Sequence, residues 1–403
     1  MEFCGYEPSF DDRGRCTVTY DFTAHNEEVQ QVMDSYHAGD PIRTPVLFSH
    51  NPRFTMWMPE VNTRRIEFKQ YVMDPMVMID RQLEHFHWAL HHIRHDVQMG
   101  LPDAWTVYVD FQNTYDAAWY GCPVRFRPGQ VPDTEPILTD DNKRMLFDKG
   151  LPDPFGGEWM ERNWQYYELF TQLKEQGWRY ADRPIGAVVP TAMGTDGPVT
   201  VCCNLRGATE FMTDLLDDPE YAEELLHYVT EASIARIRAY RKRLGQPELA
   251  ATFGLADDSI ELLSLSMYRE VIAPYHRRLK EALAEPGCTS FVHLCGDVQR
   301  LLPAVRDELN VASFDTGFPL DHGRLRRELG PDVEVWGGPS VPILQHATPD
   351  ECFREAARIL HSGILEGKRF ILREGNNLAP NTPLDNLNAV YEAAKTAGRY
   401  RLN

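Results

Sequence analysis

The chain has 403 residues, 43% of them hydrophobic and 25% charged, with a formal net charge of −19 at pH 7. That is a globular composition with room for one large domain or two average ones. The acidic balance lacks the basic face on which phosphate-reading nucleic-acid binders rely, and it disfavours adsorption to anionic membranes.

No run approaches the roughly eighteen apolar residues of a spanning helix. The opening MEFCGYEPSFDDRGR is acidic where a signal peptide would be basic and then apolar, so a cytoplasmic location is expected. The eight cysteines are scattered without a CxxC pair, which suits reduced thiols.

In chain order, residues 1–40 read as an N-terminal extension with some helix, and 41–403 as one catalytic domain. Within that domain short β-rich runs alternate with helical stretches. The expected strands are Pro45–Ser49, Trp105–Asp110, Val199–Cys203, Ala251–Gly254, Ser290–Cys295, Val311–Asp315, Val333–Gly337 and Arg369–Arg373. Continuous apolar runs of this length between helices indicate parallel strands covered by helices. The stretch DDPEYAEELLHYVTEASIARIRAYRKRLG has an acidic start, apolar spacing of three and four, and a basic end before Gly245. In TPDECFREAARILHSG, Thr348 is placed to cap a helix that stops at Gly363.

About eight such units predict an α/β fold, a (β/α)8 TIM barrel with an N-terminal helical extension; an open doubly wound sheet is the alternative. Barrel enzymes place their active sites at the C-terminal ends of the strands. Here those ends carry Asp110, Asn204 with Arg206, Asp257 with Asp258, His293 with Cys295, Asp315, and Glu374 with Asn376.

In FVHLCGD, His293 and Cys295 flank Leu294, so an extended backbone points both to one face. Imidazole and thiolate are zinc ligands, and a catalytic zinc keeps a position open for substrate. A buried thiol and a hydrogen-bonded core histidine would read the same way. The segment RQLEHFHWALHHIRHDVQMG holds five histidines, with His87/His91 and His91/His95 on shared helical faces. It lacks the Glu of HExxH and reads better as a partly exposed covering helix. No GxGxxG, Walker loop or GxSxG elbow occurs. Asp110 closes a strand and is either a general acid or base or a helix cap. Asp257 and Asp258 are adjacent and point different ways, so one enters the site at most.

Several motifs together resemble the uroporphyrinogen decarboxylase superfamily. They are FVHLCG, SFDTG, ELGPDVEVWGGPS, FILREGNNLAPNTPLDNLNAV and LLSLSMYREVIAPYHRRL, with VYVDFQNTYDAAWYGCPVRF upstream. The resemblance implies a TIM barrel, in either the decarboxylase branch or the branch of zinc-dependent methyltransferases that work with corrinoid proteins or other methyl carriers. The methyltransferase pattern maps zinc ligands onto His293 and Cys295. It expects a further Cys in the turn where Asn376 stands, leaving Glu374 or Asp257 to supply an oxygen ligand. The decarboxylase pattern maps its catalytic acid onto Asp110. Of its paired arginines it retains Arg53, with Met56 in the second place.

The leading expectation is methyl or one-carbon transfer at zinc. Asp110, Tyr115 and Asn376 would act on or orient a small-molecule substrate, and Arg53, Asn204, Arg206 and Asp315 would contact it. A corrinoid or other methyl carrier, a corrinoid protein partner and a homodimer are implied by the resemblance; nucleic acid and membrane are not expected as partners. A metal-free decarboxylase or lyase acting on a small carboxylated substrate, and a non-catalytic binding barrel, are the alternatives.

Overall fold

The computed structural model describes residues 6–10 and 16–400, with side chains from residue 21 to 400. An antiparallel pair of strands, Tyr6–Phe10 and Cys16–Tyr20, and a helix, α1 (Thr23–His37), come first in the chain order. Cys4 and the chain terminus beyond 400 lie outside the described residues.

Among the described residues, seven strands form the parallel ladders: β1 (Trp105–Tyr108), β2 (Arg183–Val189), β3 (Phe253–Ala256), β4 (Ser290–Leu294), β5 (Val311–Thr316), β6 (Glu334–Gly337) and β7 (Phe370–Leu372). Strands β3 to β7 form one continuous parallel sheet in sequence order. The segment 45–48 extends it: Leu47 N–H donates to Leu372 O at 3.0 Å and Leu372 N–H to Pro45 O at 2.9 Å. A second parallel ladder joins β1 to β2. Gln82 caps the other edge of β1, its amide donating to Tyr108 O at 2.7 Å and accepting from Tyr108 N at 3.0 Å. The fold is α/β, and strands in this βα order are those of a TIM barrel. Among the described residues their ladders form two arcs.

Outward side chains meet the helices. Val107, Val292, Leu294, Phe314, Val335 and Leu372 are fully buried, and each such aliphatic or aromatic group contributes about 1.5–3 kcal/mol by leaving water. The alternate residues of each strand point to the interior and, at the strand ends, to the site. One register row, Ala256, His293, Asp315, Trp336 and Ile371, crosses all five strands of the large sheet.

Helix α2 (Pro75–His92) begins where Asp74 accepts from Met76 N at 2.9 Å, with Pro75 at a position that needs no donor. Its histidines divide. His85 is buried, while His87 and His91 meet edge to face on the outer side, 4.8 Å between centroids. His95 lies beyond the helix end, so the expected His91/His95 helical face does not form.

Two expected strands are not strands. Pro45–Ser49 meets the sheet only through an isolated bridge from Val46 to Leu372. Val199–Cys203 lies inside α3 (Pro198–Arg206), and the strand in its place in the order is β2, RPIGAVV. Val199, Val201 and Cys202 are wholly buried. A helix apolar on every side has no period to reveal it, so it reads as a buried strand. Pro198 at the first turn was the available signal. Helix α4 (Pro219–Arg243) and helix α5 (Pro349–Ile359), the latter with a Thr348/Glu351 capping box, occupy the stretches expected. Among the described residues, no helix is long and apolar enough to cross a membrane.

Candidate functional site

At the C-terminal ends of β3 and β4 the ligand-capable atoms of Asp258, His293 and Cys295 all lie within 4.8 Å of one another. His293 extends from β4 with its Nδ1 2.7 Å from Asp315 on the neighbouring strand. With Nδ1–H donating to that carboxylate, Nε2 keeps its lone pair and faces Asp258, 3.9 Å away. The Cys295 N–H donates to Asp258 Oδ1 at 2.8 Å, which ties the two strand ends together.

Close packing shapes the site. A Cβ on Gly317 would lie 2.5 Å from both Cα and Cβ of Cys295, so the turn after β5 can pass only as glycine. Gly296, at φ +82°, takes a left-handed conformation, and a Cβ there would run into the carboxylate of Glu261.

Electrostatics at the cluster favour a cation. Burial, then Asp258, pushes the Cys295 thiol well above its usual value. Burial opposes charge on His293, but the hydrogen bond and charge of Asp315 outweigh it and raise its pKa. A divalent ion among these groups would reverse the penalty on the thiolate and replace the proton on the imidazole. The set of one carboxylate, one imidazole and one thiol is one that zinc accepts.

A chain of charge runs behind it. Asp315 Oδ1 pairs with Arg373 Nη1 at 2.8 Å, and Arg373 Nη2 with Glu374 at 2.7 Å and with the carbonyl of Asn376 at 3.2 Å. Glu374 is wholly buried and accepts from Ser49 N at 3.1 Å. Burial raises its pKa to about 8 against the pull of Arg373. Asp315 therefore orients His293, and Glu374 anchors Arg373; neither belongs to the converging trio. The Asn376 amide oxygen accepts from Asn377 N at 2.8 Å.

Asp257, named with Glu374 as an oxygen ligand, points the other way. Its carboxylate accepts from Val199 N at 3.1 Å and Thr200 N at 2.8 Å at the start of α3, and meets His276 Nε2 at 2.9 Å. Adjacent positions at a strand end face opposite sides, and Asp258 is the one beside the histidine and thiol.

The other wall of the mouth comes from β1 and the loop after residue 49. Asp110 accepts from Tyr71 OH at 2.6 Å, from the Gln112 amide at 2.5 Å and from Gln112 N at 2.8 Å. Gln112 in turn meets Arg53, whose Nη2 also reaches Asn113 at 3.0 Å. Burial lowers the pKa of Arg53, with Asp110, Tyr71 and Asp196 pulling it back. Tyr115 OH lies 3.4 Å from Asp196.

Arg206 and Asn204, expected at a strand end, sit instead on α3. Arg206 is committed to Asp214 at 2.8 Å and to Asp140, and Asn204 offers its carbonyl to Cys122. Their displacement follows from the strand that is a helix.

Asp196, Arg373 and Gln112 are residues at or behind the site that the sequence reading passed over. Arg373 was legible, since period two from Ile371 brings it to the interior face. Asp196 in MGTDGP reads only as a turn.

A family model described as "Uroporphyrinogen decarboxylase (URO-D)" matches residues 97–397. The chain belongs to the uroporphyrinogen decarboxylase family. Among relatives of the family, the chain is 27% identical over 295 residues to "Methylated-thiol--coenzyme M methyltransferase" of Methanosarcina mazei, covering 71% of each. It is 27% identical over 214 residues to "Methylcobamide:CoM methyltransferase MtaA" of Methanosarcina barkeri, covering 52% of this chain and 59% of the relative. It is 26% identical over 210 residues to "Uroporphyrinogen decarboxylase" of an Anaeromyxobacter species, covering 51% and 58%. A solved "methyltransferase from Methanosarcina mazei" superposes with a TM-score of 0.61 at 19% identity over 91% of this chain and 98% of that one, which shows a shared fold.

Proposed function

We propose that the protein is a methyltransferase of the uroporphyrinogen decarboxylase family, moving a methyl or other one-carbon group at a zinc held by Asp258, His293 and Cys295. The observation that carries this reading is the convergence of those ligand atoms within 4.8 Å, in a chain whose family relatives include named methyltransferases. When bound, zinc lowers the pKa of a coordinated thiol or polarises a coordinated oxygen.

The chain's own groups would do the rest. Asp315 holds His293 in one tautomer and orientation. Arg53, kept in place by Gln112 and Asn113, presents a cation to a negative group on the substrate. Asp110, with Tyr71 and Gln112 on its oxygens, orients a polar group of the substrate. Asn376, whose carbonyl accepts from Arg373 at 3.2 Å, would orient the substrate as well. A cytoplasmic enzyme, a corrinoid protein or other methyl carrier as partner, and a homodimer belong to the same proposal, drawn from the family resemblance.

Elemental analysis tests it. Purified protein should hold stoichiometric zinc, a His293→Ala/Cys295→Ala variant should hold none, and methyl transfer followed by NMR should disappear with the metal. Zinc content unchanged in the variant would sink the reading.

The joined Arg53, Gln112 and Asp110 favour a second reading, a metal-free decarboxylase or lyase with Arg53 as carboxylate anchor and Asp110 as acid. Full activity after chelation would select it.

A further inference from the structure

The wall built by β1 and the loop after residue 49 holds a cation that has no ion-pair partner among the described residues. Arg43, Arg206, Arg236 and Arg373 are buried, and each faces a carboxylate. Arg53 is half-buried, and its side-chain contacts are with neutral groups: Nε donates to Gln112 Oε1, and Nη2 to Asn113 Oδ1 at 3.0 Å. Asp110 is near enough for its charge to act on the guanidinium, yet no nitrogen of Arg53 pairs with it. Taking a charge partly out of water without an opposite charge is costly.

What stands between the two charges is Gln112. Its amide nitrogen donates to Asp110 Oδ2 at 2.5 Å, and its amide oxygen accepts from Arg53. The backbone is bent to allow this. Gln112 takes φ +57°, a left-handed conformation uncommon outside glycine, and its N–H donates to Asp110 Oδ1 at 2.8 Å. Phe111 before it is wholly buried, its ring centroid 5.3 Å from Trp159 and 5.9 Å from Tyr166. Thr114 after it donates its hydroxyl to Phe111 O at 2.8 Å. Tyr71 OH donates to the same Asp110 oxygen as the Gln112 amide, at 2.6 Å. A side chain locked by its own turn and by both neighbours points one way.

We propose that Gln112 is a positioning residue, a neutral amide spacer that keeps Arg53 from pairing with Asp110 and so leaves one edge of the guanidinium for a substrate carboxylate. The proposal rests on the reading of Arg53 as the cation for a negative group, and it adds what makes that cation available and which anion it takes. Of the five N–H donors of the guanidinium, Gln112 and Asn113 occupy two, on the edge formed by Nε and Nη2. The edge formed by Nη1 and Nη2 keeps a parallel pair of donors, which matches the two oxygens of a carboxylate. One guanidinium beside the Asp110 carboxylate suits a singly charged anion better than a phosphate dianion. Without the spacer the two opposite charges would close on each other, and a substrate anion would have to break an ion pair to bind.

The test uses the full-length protein as purified and titrates it with para-fluorobenzoate, and with para-fluorobenzamide as the neutral counterpart, by fluorine NMR. Wild type should bind the carboxylate more tightly than the amide, and Arg53→Ala should remove that preference. Gln112→Ala should weaken the carboxylate by at least about tenfold, the loss of one hydrogen-bonded charge contact, and leave the amide within about twofold. The deciding variant is Gln112→Ala/Asp110→Asn. With no carboxylate for Arg53 to fall onto, it should recover most of the loss, by a larger factor than Asp110→Asn improves binding on its own. A residue that merely shaped the turn would not be rescued by removing a charge. No preference for the carboxylate in wild type, or a preference that survives Arg53→Ala, overturns the proposal together with the reading of Arg53 beneath it. Carboxylate binding unchanged in Gln112→Ala, equal losses for both ligands, or a double variant no better than Gln112→Ala overturns the spacer role alone. None of these readouts depends on zinc content or methyl transfer, so failure of the methyltransferase reading shows separately.

Discussion

Asp315→Asn separates the orientation of a metal ligand from the stability of the fold. The carboxylate is about one-tenth exposed and serves two partners, His293 Nδ1 at 2.7 Å and Arg373 at 2.8 Å. Asparagine keeps the volume and one acceptor oxygen, so it removes the charge and one oxygen and little else. Arg373 retains Glu374 at 2.7 Å, and the buried cation is not left alone. The stability loss should therefore fall near the value of hydrogen bonds to charged groups, about 1.5–3 kcal/mol, below the cost of an orphaned buried charge. For the metal, loss of the partner that fixes a ligating imidazole costs about 10–100-fold in affinity, or roughly 1.4–2.7 kcal/mol. Urea unfolding of the zinc-free protein reads the first quantity, and competition with a chromophoric chelator the second. Zinc affinity within about twofold of wild type, whatever the stability, would refute Asp315 as the orienting partner of a zinc ligand.

Asp257→Asn should behave in the opposite way, because its oxygens serve the first turn of α3 and His276. It should lose about 1.5–3 kcal/mol in urea unfolding with zinc affinity unchanged. Gly317→Ala forces a Cβ onto Cys295 at 2.5 Å; overpacking of about 1–3 kcal/mol and a weakened zinc site should appear together. Acid should destabilise the fold through His95, which is 6% exposed and accepts from Phe48 N at 3.1 Å. Burial holds its pKa down to about 3, against about 6.5 in the unfolded chain. The unfolded state thus binds the extra proton, so the stabilisation is present above about pH 6.5 and is lost as pH falls toward 3. The slope should approach about 1.4 kcal/mol per pH unit, and His95→Gln should make the acid limb shallower in urea titrations between pH 7 and 4.

Most of this architecture could be read from local pattern. Runs such as SFVHLC and VASFD are apolar, β-rich and short, and the helices between them carry caps and amphipathic spacing. Both signals arise within a few residues, so they survive without knowledge of the fold. The same holds for His293 and Cys295, whose shared face follows from the period of a strand. The helix at 198–206 broke the pattern because burial on every side erased its periodicity, and with it went the places assigned to Asn204 and Arg206.

The third member of the trio could not be chosen from sequence. Asp257 and Asp258 are chemically identical neighbours, and which one faces the thiol depends on how β3 lies against β4 and α3. The same applies to Asp196, whose loop is held by Asp116 and Arg236, eighty and forty residues away along the chain. Ligand types and strand faces are local properties of a chain. Ligand choice, tautomer and proton occupancy are set by burial and by charges that only folding brings within a few ångströms.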